Sequence, residues 1–536
     1  MSNVSRSRLY AALVLAALIV AAVLSLQIGA HNQLRAAGNN ELENIELSLE
    51  LTRAASQGRW SDVLGRYTGT GQARFLPLTA DAFFGIGWLI SGESFLSIRR
   101  LNALALALML LSCYLLAATR LSRPYALLAC LLLACIPLVN VTARFVNPKP
   151  LAAAAVTLAL WALMRSDDLR NARWSALAGA LCGLALLSER GLPPILLGFP
   201  LALFAIRGLV WRGTRARALA GIALFGGCAL LIAGPNLSNY LAGIERVLNQ
   251  AYFGTPGGDT AHAADPAYYL HAFWNELLTP PQALIYVLLV PLSLLGKRRP
   301  WELWLWLIPP FFVLSTFNTK LPYYMFGLLP PLAILAAHGL SNIPWTRPRR
   351  ALSILAALIA VSSLALSLYT MPRPPWFWPA PGVSPQLAQL CGGCWAQVDY
   401  PSRFNGTGER IVDEARRVKA AAVLFDVSNQ DERTRAWAAV VGRRLPRKPV
   451  LMVLRNDPTP DIGEVGRVLL LVGNAHEPLI QMLGRPPLVN SAAVFDDEIG
   501  QALRAEMKKW NVIQELLLRY DAGRTIKVQV LESSGF

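Results

Sequence analysis

Charged residues are scarce in this sequence. Asp, Glu, Lys and Arg make up 15% of its 536 residues, against about 25% in soluble globular proteins. Hydrophobic residues make up 54%, and the mean hydropathy is +0.40. The uncharged runs over residues 10–26, 101–119 and 351–370 are about as long as a helix that crosses ~30 Å of hydrocarbon. The composition excludes a soluble protein of this size and predicts a membrane protein.

Cysteine and histidine are also rare, with 7 and 5 residues. Five cysteines fall in predicted spans and are interpreted as small core residues: Cys113, Cys130, Cys135, Cys182 and Cys228. Cys391 and Cys394 form the motif CGGC, which no second Cys or His pair accompanies. We expect a local disulfide there, with two free thiols, or a redox or metal site, as the alternatives. No metal site is predicted, since the first long loop contains no Asp-x-Asp.

The apolar runs predict eleven membrane spans. They lie near residues 9–28, 101–119, 124–139, 150–164, 174–187, 191–207, 218–236, 282–296, 302–317, 323–343 and 351–370. Loops assigned to the cytoplasm hold 17 Lys and Arg in about 44 residues, whereas the opposite loops hold 12 in about 138. This bias predicts a cytoplasmic N-terminus and an outer C-terminus. It also explains most of the net charge of +17, so no nucleic-acid partner is required.

Two outer loops, residues 29–100 and 237–281, are much longer than the others and are predicted to form a roof over one face. Residues 41–60 and 79–92 are predicted to be helices that lie at the membrane interface. The predicted architecture is an α-helical polytopic membrane domain over residues 1–370.

Beyond this membrane domain the composition changes. Residues 371–382 are rich in proline and are predicted to form a linker. Residues 383–536 resemble a soluble, extracytoplasmic α/β domain. Its strands are predicted at residues 421–427, 449–455, 468–474 and 526–532, with helices between them.

Ionisable side chains gather at the outer ends of the predicted spans, where such groups are costly and usually functional. A phosphate or diphosphate headgroup at this depth would satisfy several of the cations through charge-assisted hydrogen bonds. Snorkelling is the alternative for any single one of them. The polar candidates include Glu41, Glu43, Arg100, Arg144, Lys149, Glu189, Tyr269, His271, Lys320, Tyr323 and Tyr324.

Several fragments resemble one family. FNTKLPYYMFGLLPPLAILAAHGL, residues 317–340, is similar to the late-helix signature of the protein O-mannosyltransferase and lipid A aminoarabinose-transferase superfamily. In that signature a Lys, a Pro and one or two aromatic residues precede a proline-containing helix. ISGESFLSIRRLNALALALML and LACIPLVNVTARFVNPKPLAAAAVTLALWAL resemble earlier parts of the same family. The likeness covers residues 9–345 in order.

The resemblance implies an ArnT-like membrane glycosyltransferase of the GT-C fold. Such an enzyme takes a sugar from a polyprenyl-phosphate donor and transfers it to lipid A, a protein or another glycan. The reaction would occur at the periplasmic face of a bacterial inner membrane. No cofactor is expected beyond the lipid-linked sugar itself.

The resemblance also implies roles for individual residues. Glu43 or Glu41 would be the catalytic base, and Lys320 would hold the donor phosphate with help from Arg144, Lys149 and Arg100. The substrate would be lined by Tyr323, Tyr324, Tyr269 and His271. The chain departs from the family at four places: it reads NNELENIE where an Asp-Glu pair is usual, RFLPL replaces a Lys-Pro-Pro entry, Asn147 replaces an acidic residue, and Glu189 replaces a lysine.

Two further functions remain as alternatives. A secondary transporter usually has paired repeats and ionisable residues near the bilayer middle, whereas here the ionisable residues lie at the outer rim. A noncatalytic scaffold, whose outer domain binds partners, would account for the altered first-loop motif.

Overall fold

A computed structural model describes most of the membrane region and part of the C-terminal region. The described residues are 11–21, 48, 51–52, 54–68, 78–91, 95–143, 146–189, 192–210, 215–237, 241, 267–296, 299–317, 322–369, 411, 415–417, 422–426, 450–453, 468–474, 510–521 and 524–533. They belong to two compact units. The first contains the helices up to Tyr369, and the second contains five β-strands.

Helices make up nearly all of the described part of the first unit. They are α1 (Ala11–Ala21), α2 (Trp60–Thr68), α3 (Leu78–Ser91), α4 (Phe95–Ala117), α5 (Arg123–Ala134), α6 (Pro137–Thr142), α7 (Lys149–Arg165), α8 (Ala172–Ser188), α9 (Leu192–Val210), α10 (Arg215–Ala233), α11 (Tyr268–Ala272), α12 (Pro280–Leu292), α13 (Trp301–Ser315), α14 (Leu329–Ser341) and α15 (Thr346–Tyr369). A π-helical turn follows α11 at Phe273–Leu277, and a 3-10 segment precedes α14 at Pro322–Leu328.

Each of the eleven predicted spans contains helical residues. Within the described ranges, four segments are long and apolar enough to cross a bilayer: Leu192–Val210, Arg215–Asn236, Tyr323–Ser341 and Thr346–Ala365. The chain is a mostly helical, multi-pass membrane protein. The number of spans stays a prediction.

Burial distinguishes a central span from peripheral ones. The apolar window of Tyr323–Ser341 is 89% buried, whereas the windows of Arg215–Asn236 and Thr346–Ala365 are 22% and 17% buried. Apolar side chains on the two peripheral helices, such as Leu231 at 76% exposure, face outward. A helix that meets lipid needs no protein neighbour for its apolar side chains. The span that begins at Tyr323 therefore lies inside the bundle.

The helix in the predicted span at residues 124–139 is interrupted. Helix α5 ends at Ala134 and α6 begins at Pro137. Proline has no N–H to donate and disfavours helical geometry in the residue before it, so the chain breaks at this point. Buried side chains satisfy the carbonyls at the break: Asn140 Nδ2 donates to Ala134 O at 2.6 Å, and Gln282 Nε2 donates to Cys135 O at 2.8 Å.

The predicted interfacial helix at residues 41–60 ends earlier than expected. Helical residues stop at Ser56, and Gly58 has a left-handed φ of 70°. Gly58 N donates to Ala55 O and Arg59 N to Ala54 O, at 3.1 and 2.9 Å. These two bonds form a Schellman motif, in which glycine avoids the steric cost of positive φ. A separate helix, α2, follows. Helix α3 confirms the helix predicted at residues 79–92.

Small residues allow helices α8 and α10 to pack backbone to backbone. A Cβ atom placed on Gly179 would lie 2.1 Å from Phe225 O, which is far inside van der Waals contact. Such close approach is typical of membrane helices, where van der Waals packing replaces the hydrophobic effect as the force between helices. Helix α8 also packs along α7. The three helices form a continuous layer.

The second unit contains a mixed five-stranded sheet. Its strands are β1 (Ala422–Asp426), β2 (Val450–Val453), β3 (Val468–Asn474), β4 (Trp510–Asp521) and β5 (Arg524–Ser533), in the order β2-β1-β3-β5-β4. Strands β2, β1 and β3 are parallel, and β5 pairs antiparallel with β3 and β4. The four predicted strands are confirmed.

Strand β4 was not predicted. Register shifts between Val512 and Gln514, and between Arg519 and Asp521, interrupt its pairing with β5. Each shift breaks the alternation of side chains by which a strand is recognised in a sequence. Most of the predicted helices of this unit lie outside the described residues, so the α/β layering stays a prediction.

Cysteines 113, 130, 135, 182 and 228 are free and lie in or at the ends of membrane helices, as expected. Three of them, Cys113, Cys130 and Cys135, are buried. Cys391 and Cys394 lie outside the described residues, and their disulfide stays a prediction.

Candidate functional site

The hairpin of α7 and α8 determines where the candidate site lies. Each helix has 17 residues, and the short loop at residues 166–171 joins them. Because the two helices pack side by side with opposite directions, the start of α7 and the end of α8 lie at the same end of the hairpin. Lys149 is the first residue of α7, and Glu189 directly follows α8.

Lys149 Nζ and Glu189 Oε1 form an ion pair at this end. Both side chains are largely buried, with 8% and 16% exposed. A lysine at the N-terminus of a helix, or a glutamate at the C-terminus, is opposed by the dipole of its own helix. In the antiparallel hairpin, each charge also lies beside the favourable end of the other helix. Pairing across the hairpin therefore offsets both unfavourable placements.

Two tyrosine rings lie next to the ammonium group. Tyr323 and Tyr324 belong to the 3-10 segment Pro322–Leu328, which packs against α7. Lys149 Nζ lies 5.0 Å from the ring centroid of Tyr323 and 5.5 Å from that of Tyr324. The two rings pack edge to face, with their centroids 5.1 Å apart. At these distances each ring attracts the cation through its quadrupole.

The backbone that presents Lys149 is also held in place. Lys149 N donates a 2.9 Å hydrogen bond to Asn147 Oδ1. A side-chain acceptor at the start of a helix satisfies one of the first N–H groups, which have no partner within the helix. The cluster of Lys149, Glu189, Tyr323 and Tyr324 is named the lysine site below. It offers a buried cation, so it is suited to bind an anionic group.

The structure brings together three of the predicted site residues: Lys149, Tyr323 and Tyr324. Tyr269 is 1% exposed and packs edge to face against Tyr268, with ring centroids 5.2 Å apart. His271 is exposed on the same short helix. That helix leads into the π-helical turn, which contacts the 3-10 segment of the lysine site.

The side chains of the remaining predicted site residues lie outside the described part of the structure. Arg100 lies in α4, where only its backbone is described. Side chains not described include the predicted base and most of the predicted phosphate ligands: Glu41, Glu43, Arg144 and Lys320. Their roles stay predictions. Among the residues that are described, no three His, Cys, Asp or Glu side chains form a group that could hold a metal ion.

Sequence reasoning did not identify Glu189 as the partner of Lys149. It placed Glu189 among the polar residues at the outer rim without a role. The signal was present in the two predicted spans at residues 150–164 and 174–187, which are similar in length and separated by a short loop. Such a hairpin brings its first and last residues together, and these residues carry opposite charges.

Comparison with known proteins shows which proteins this chain is similar to. Residues 76–238 match the model of the dolichyl-phosphate-mannose-protein mannosyltransferase family. The crystal structure of ArnT from Cupriavidus metallidurans bound to undecaprenyl phosphate has a TM-score of 0.57 and 16% identity, and the match covers 96% of this chain and 97% of that one. The same enzyme in the apo state has a TM-score of 0.58 over the same shares. This chain therefore has an ArnT-like, GT-C-type fold, and part of it is similar to the mannosyltransferase family.

The sequence relatives are more similar in identity than these solved structures but match a smaller share of the chain. An undecaprenyl phosphate-alpha-4-amino-4-deoxy-L-arabinose arabinosyl transferase of Pseudomonas aeruginosa is 28% identical over 374 residues, or 61% of this chain and 62% of the relative. The undecaprenyl phosphate-alpha-4-amino-4-deoxy-L-arabinose arabinosyl transferase 2 of Pseudomonas fluorescens is 26% identical over 330 residues, or 55% of this chain and 54% of the relative. The matched region thus spans between half and two thirds of these curated relatives.

Proposed function

We propose that this ArnT-like protein is a glycosyltransferase of the bacterial inner membrane. It transfers a sugar from a polyprenyl-phosphate-linked donor to an acceptor at the periplasmic face. The names of the relatives point to 4-amino-4-deoxy-L-arabinose carried by undecaprenyl phosphate as the donor. The first acceptor to test is lipid A, followed by protein and glycan acceptors.

The observation that carries this proposal is the buried ammonium of Lys149 in the ArnT-like fold. A lysine side chain with 8% exposure carries a charge that is costly unless it is paired. It lies beside two aromatic rings, at the N-terminus of α7, where the helix dipole also favours an anion. This environment suits the phosphate of a lipid-linked sugar, because a phosphate oxygen accepts short, charge-assisted hydrogen bonds from an ammonium.

The proposed mechanism assigns two tasks to the protein. A carboxylate, Glu43 or Glu41, accepts the proton of the acceptor hydroxyl as that oxygen attacks the anomeric carbon. The bond from this carbon to the phosphate oxygen breaks, and the polyprenyl phosphate leaves with the electron pair. Lys320 and Lys149, with Arg144 and Arg100, stabilise the negative charge of the departing phosphate. No metal or other cofactor takes part.

The proposal also includes a topology. Eleven spans place the N-terminus in the cytoplasm and the lysine site towards the periplasm. Tyr323 and Tyr324 line the site, and Tyr269 and His271 border the substrate from the second long loop. Residues 383–536 form a periplasmic α/β domain after the linker at residues 371–382.

A transfer assay with the full chain tests the proposed function. The purified protein, in nanodiscs, is mixed with radiolabelled undecaprenyl-phosphate aminoarabinose and lipid A, and labelled lipid A is measured by thin-layer chromatography. We expect transfer by the unsubstituted chain and its loss in the double variant Glu41→Ala, Glu43→Ala. Transfer that persists in the double variant would show that neither Glu41 nor Glu43 is the catalytic base. Absence of transfer to lipid A, protein and glycan acceptors alike would refute the function.

A further inference from the structure

Glu189 occupies the position at Lys149 that an incoming phosphate needs. We propose that the Glu189 carboxylate is an internal ligand of the lysine site, which holds the ammonium until the phosphate of undecaprenyl phosphate displaces it. This inference rests on the proposed function. It makes Glu189 a positioning residue that sets the affinity for the lipid phosphate by competing with it.

The surroundings of the ammonium leave few places for a ligand. The rings of Tyr323 and Tyr324, whose planes form an angle of 81°, limit the directions from which a ligand can reach the ammonium. Glu189 Oε1 provides the anionic contact that the structure shows for Lys149. Since the Lys149 side chain is only 8% exposed, a phosphate reaches its ammonium by taking the place of the carboxylate.

The charges favour such an exchange. A phosphate monoester carries about −1.5 to −2 charges near neutral pH and has three acceptor oxygens, whereas a carboxylate carries one charge. Glu189 lies at the end of α8, in extended backbone with φ −152° and ψ 144°, and its side chain is twice as exposed as that of Lys149. The displaced carboxylate can therefore turn towards water. Lys149 keeps an anionic partner before and after the exchange, so the buried cation is never left alone.

The decisive variant is Glu189→Gln, which keeps the size of the side chain and removes its charge. We expect this variant to bind undecaprenyl phosphate about five- to tenfold more tightly, because the phosphate no longer competes with a carboxylate. Glu189→Asp keeps the charge and is expected to show no such gain. A purely structural role for the ion pair predicts the opposite, namely weaker binding in Glu189→Gln.

A double variant keeps the test decisive even if Glu189→Gln folds poorly. Lys149→Met combined with Glu189→Gln removes both charges, which a protein tolerates better than the removal of one. We expect the double variant to bind undecaprenyl phosphate at least about tenfold more weakly than the unsubstituted chain, since the cation is absent. Equal affinity in the double variant and the unsubstituted chain would overturn the proposal.

Another ion pair in the same unit, with a buried glutamate and a partly exposed arginine, provides a control. Arg120 Nε lies 2.9 Å from Glu302 Oε1, and the Glu302 side chain is fully buried. Glu302→Gln is the same substitution in another ion pair, distant in sequence from the lysine site. We expect it to leave the affinity for undecaprenyl phosphate unchanged. If Glu302→Gln raised the affinity for undecaprenyl phosphate as much as Glu189→Gln does, the gain would come from any loss of a glutamate charge. That result would refute the exchange.

The measurement is a tryptophan-fluorescence titration of the full chain in nanodiscs. The ligands are undecaprenyl phosphate, undecaprenol and inorganic phosphate. Higher affinity of Glu189→Gln for undecaprenyl phosphate supports the proposal, provided that the affinity for undecaprenol is unchanged. Either a rise or no change in the affinity for inorganic phosphate is compatible with that support. A gain for inorganic phosphate alone, or for undecaprenol, overturns it.

The two proposals fail in distinguishable ways. If the unsubstituted chain transfers the sugar but Glu189→Gln binds undecaprenyl phosphate no more tightly, only the exchange fails. If the unsubstituted chain neither binds undecaprenyl phosphate nor transfers sugar, the proposed function itself fails.

Discussion

Among single residues, Lys149 shows how a buried charge depends on its neighbours. Its ammonium is paired with Glu189 and lies near the rings of Tyr323 and Tyr324. The carboxylate supplies charge, and the rings supply a polarisable surface that excludes water. A cation in such a setting is held in one orientation and is largely shielded from solvent.

The ring of Tyr324 gives a prediction at this scale. Tyr324→Ala removes a cation–π contact, which is worth about 0.5–2 kcal/mol, and opens a gap beside Lys149. We expect a roughly two- to thirtyfold rise in KM for the lipid-linked donor, because ~1.4 kcal/mol corresponds to a factor of ten. Tyr324→Phe keeps the ring and should retain most of the affinity. If Tyr324→Phe and Tyr324→Ala lose affinity equally, the hydroxyl group rather than the ring is responsible. Steady-state kinetics of the full chain separate KM from kcat.

Gln282 gives a second prediction for a single side chain. Its Nε2 donates to Cys135 O at the break between α5 and α6, and the residue is 2% exposed. In Gln282→Leu this carbonyl loses its partner, which costs about 1–3 kcal/mol for a buried group. We expect a lower midpoint of thermal unfolding in detergent, measured by the intrinsic fluorescence of the full chain. Gln282→Glu, which cannot donate when ionised, should also lower the midpoint; an unchanged midpoint in both variants would contradict this assignment.

At the scale of helices, packing depends on where glycine lies. Gly179 of α8 faces Phe225 O of α10, whereas a Cβ placed on Gly226 of α10 would meet nothing within 4 Å. Gly179→Ala must push the two helices apart, so we expect a large loss of thermal stability and of folded yield. Gly226→Ala should be neutral or stabilising, since alanine favours a helix over glycine by about 1 kcal/mol. Similar unfolding midpoints for the two variants would show that α8 and α10 do not pack this closely.

The same elements show what a sequence can predict. Apolar runs located the helices, because the bilayer demands a minimum apolar length. They did not show the break at Pro137, since the residues on both sides remain apolar, nor the turn at Gly58, which depends on backbone geometry. The aromatic pair and Lys149 were recognised as site residues from their position at the outer rim. The pairing of Lys149 with Glu189 depends on the tertiary arrangement of the hairpin, so the sequence alone did not assign it.

For the whole molecule, the distribution of charge predicts an orientation. An alkaline phosphatase reporter fused after Phe536 should be active, because this enzyme folds only in the oxidising periplasm. The same reporter fused within the loop at residues 166–171 should be inactive. That loop belongs to the predicted cytoplasmic side, whose loops hold 17 Lys and Arg residues. Activity in the second fusion but not in the first would invert the topology.

The span that starts at Tyr323 has to meet two different demands. While the chain is being inserted, this segment must partition into lipid, and its hydropathy is sufficient for that step. Once the bundle has closed, 89% of its apolar window is surrounded by protein, and small residues such as Ala333, Ala336 and Gly339 decide how closely its neighbours approach. Substituting larger apolar residues at these three positions would leave insertion intact and prevent assembly, so the two stages can be separated experimentally within a single helix.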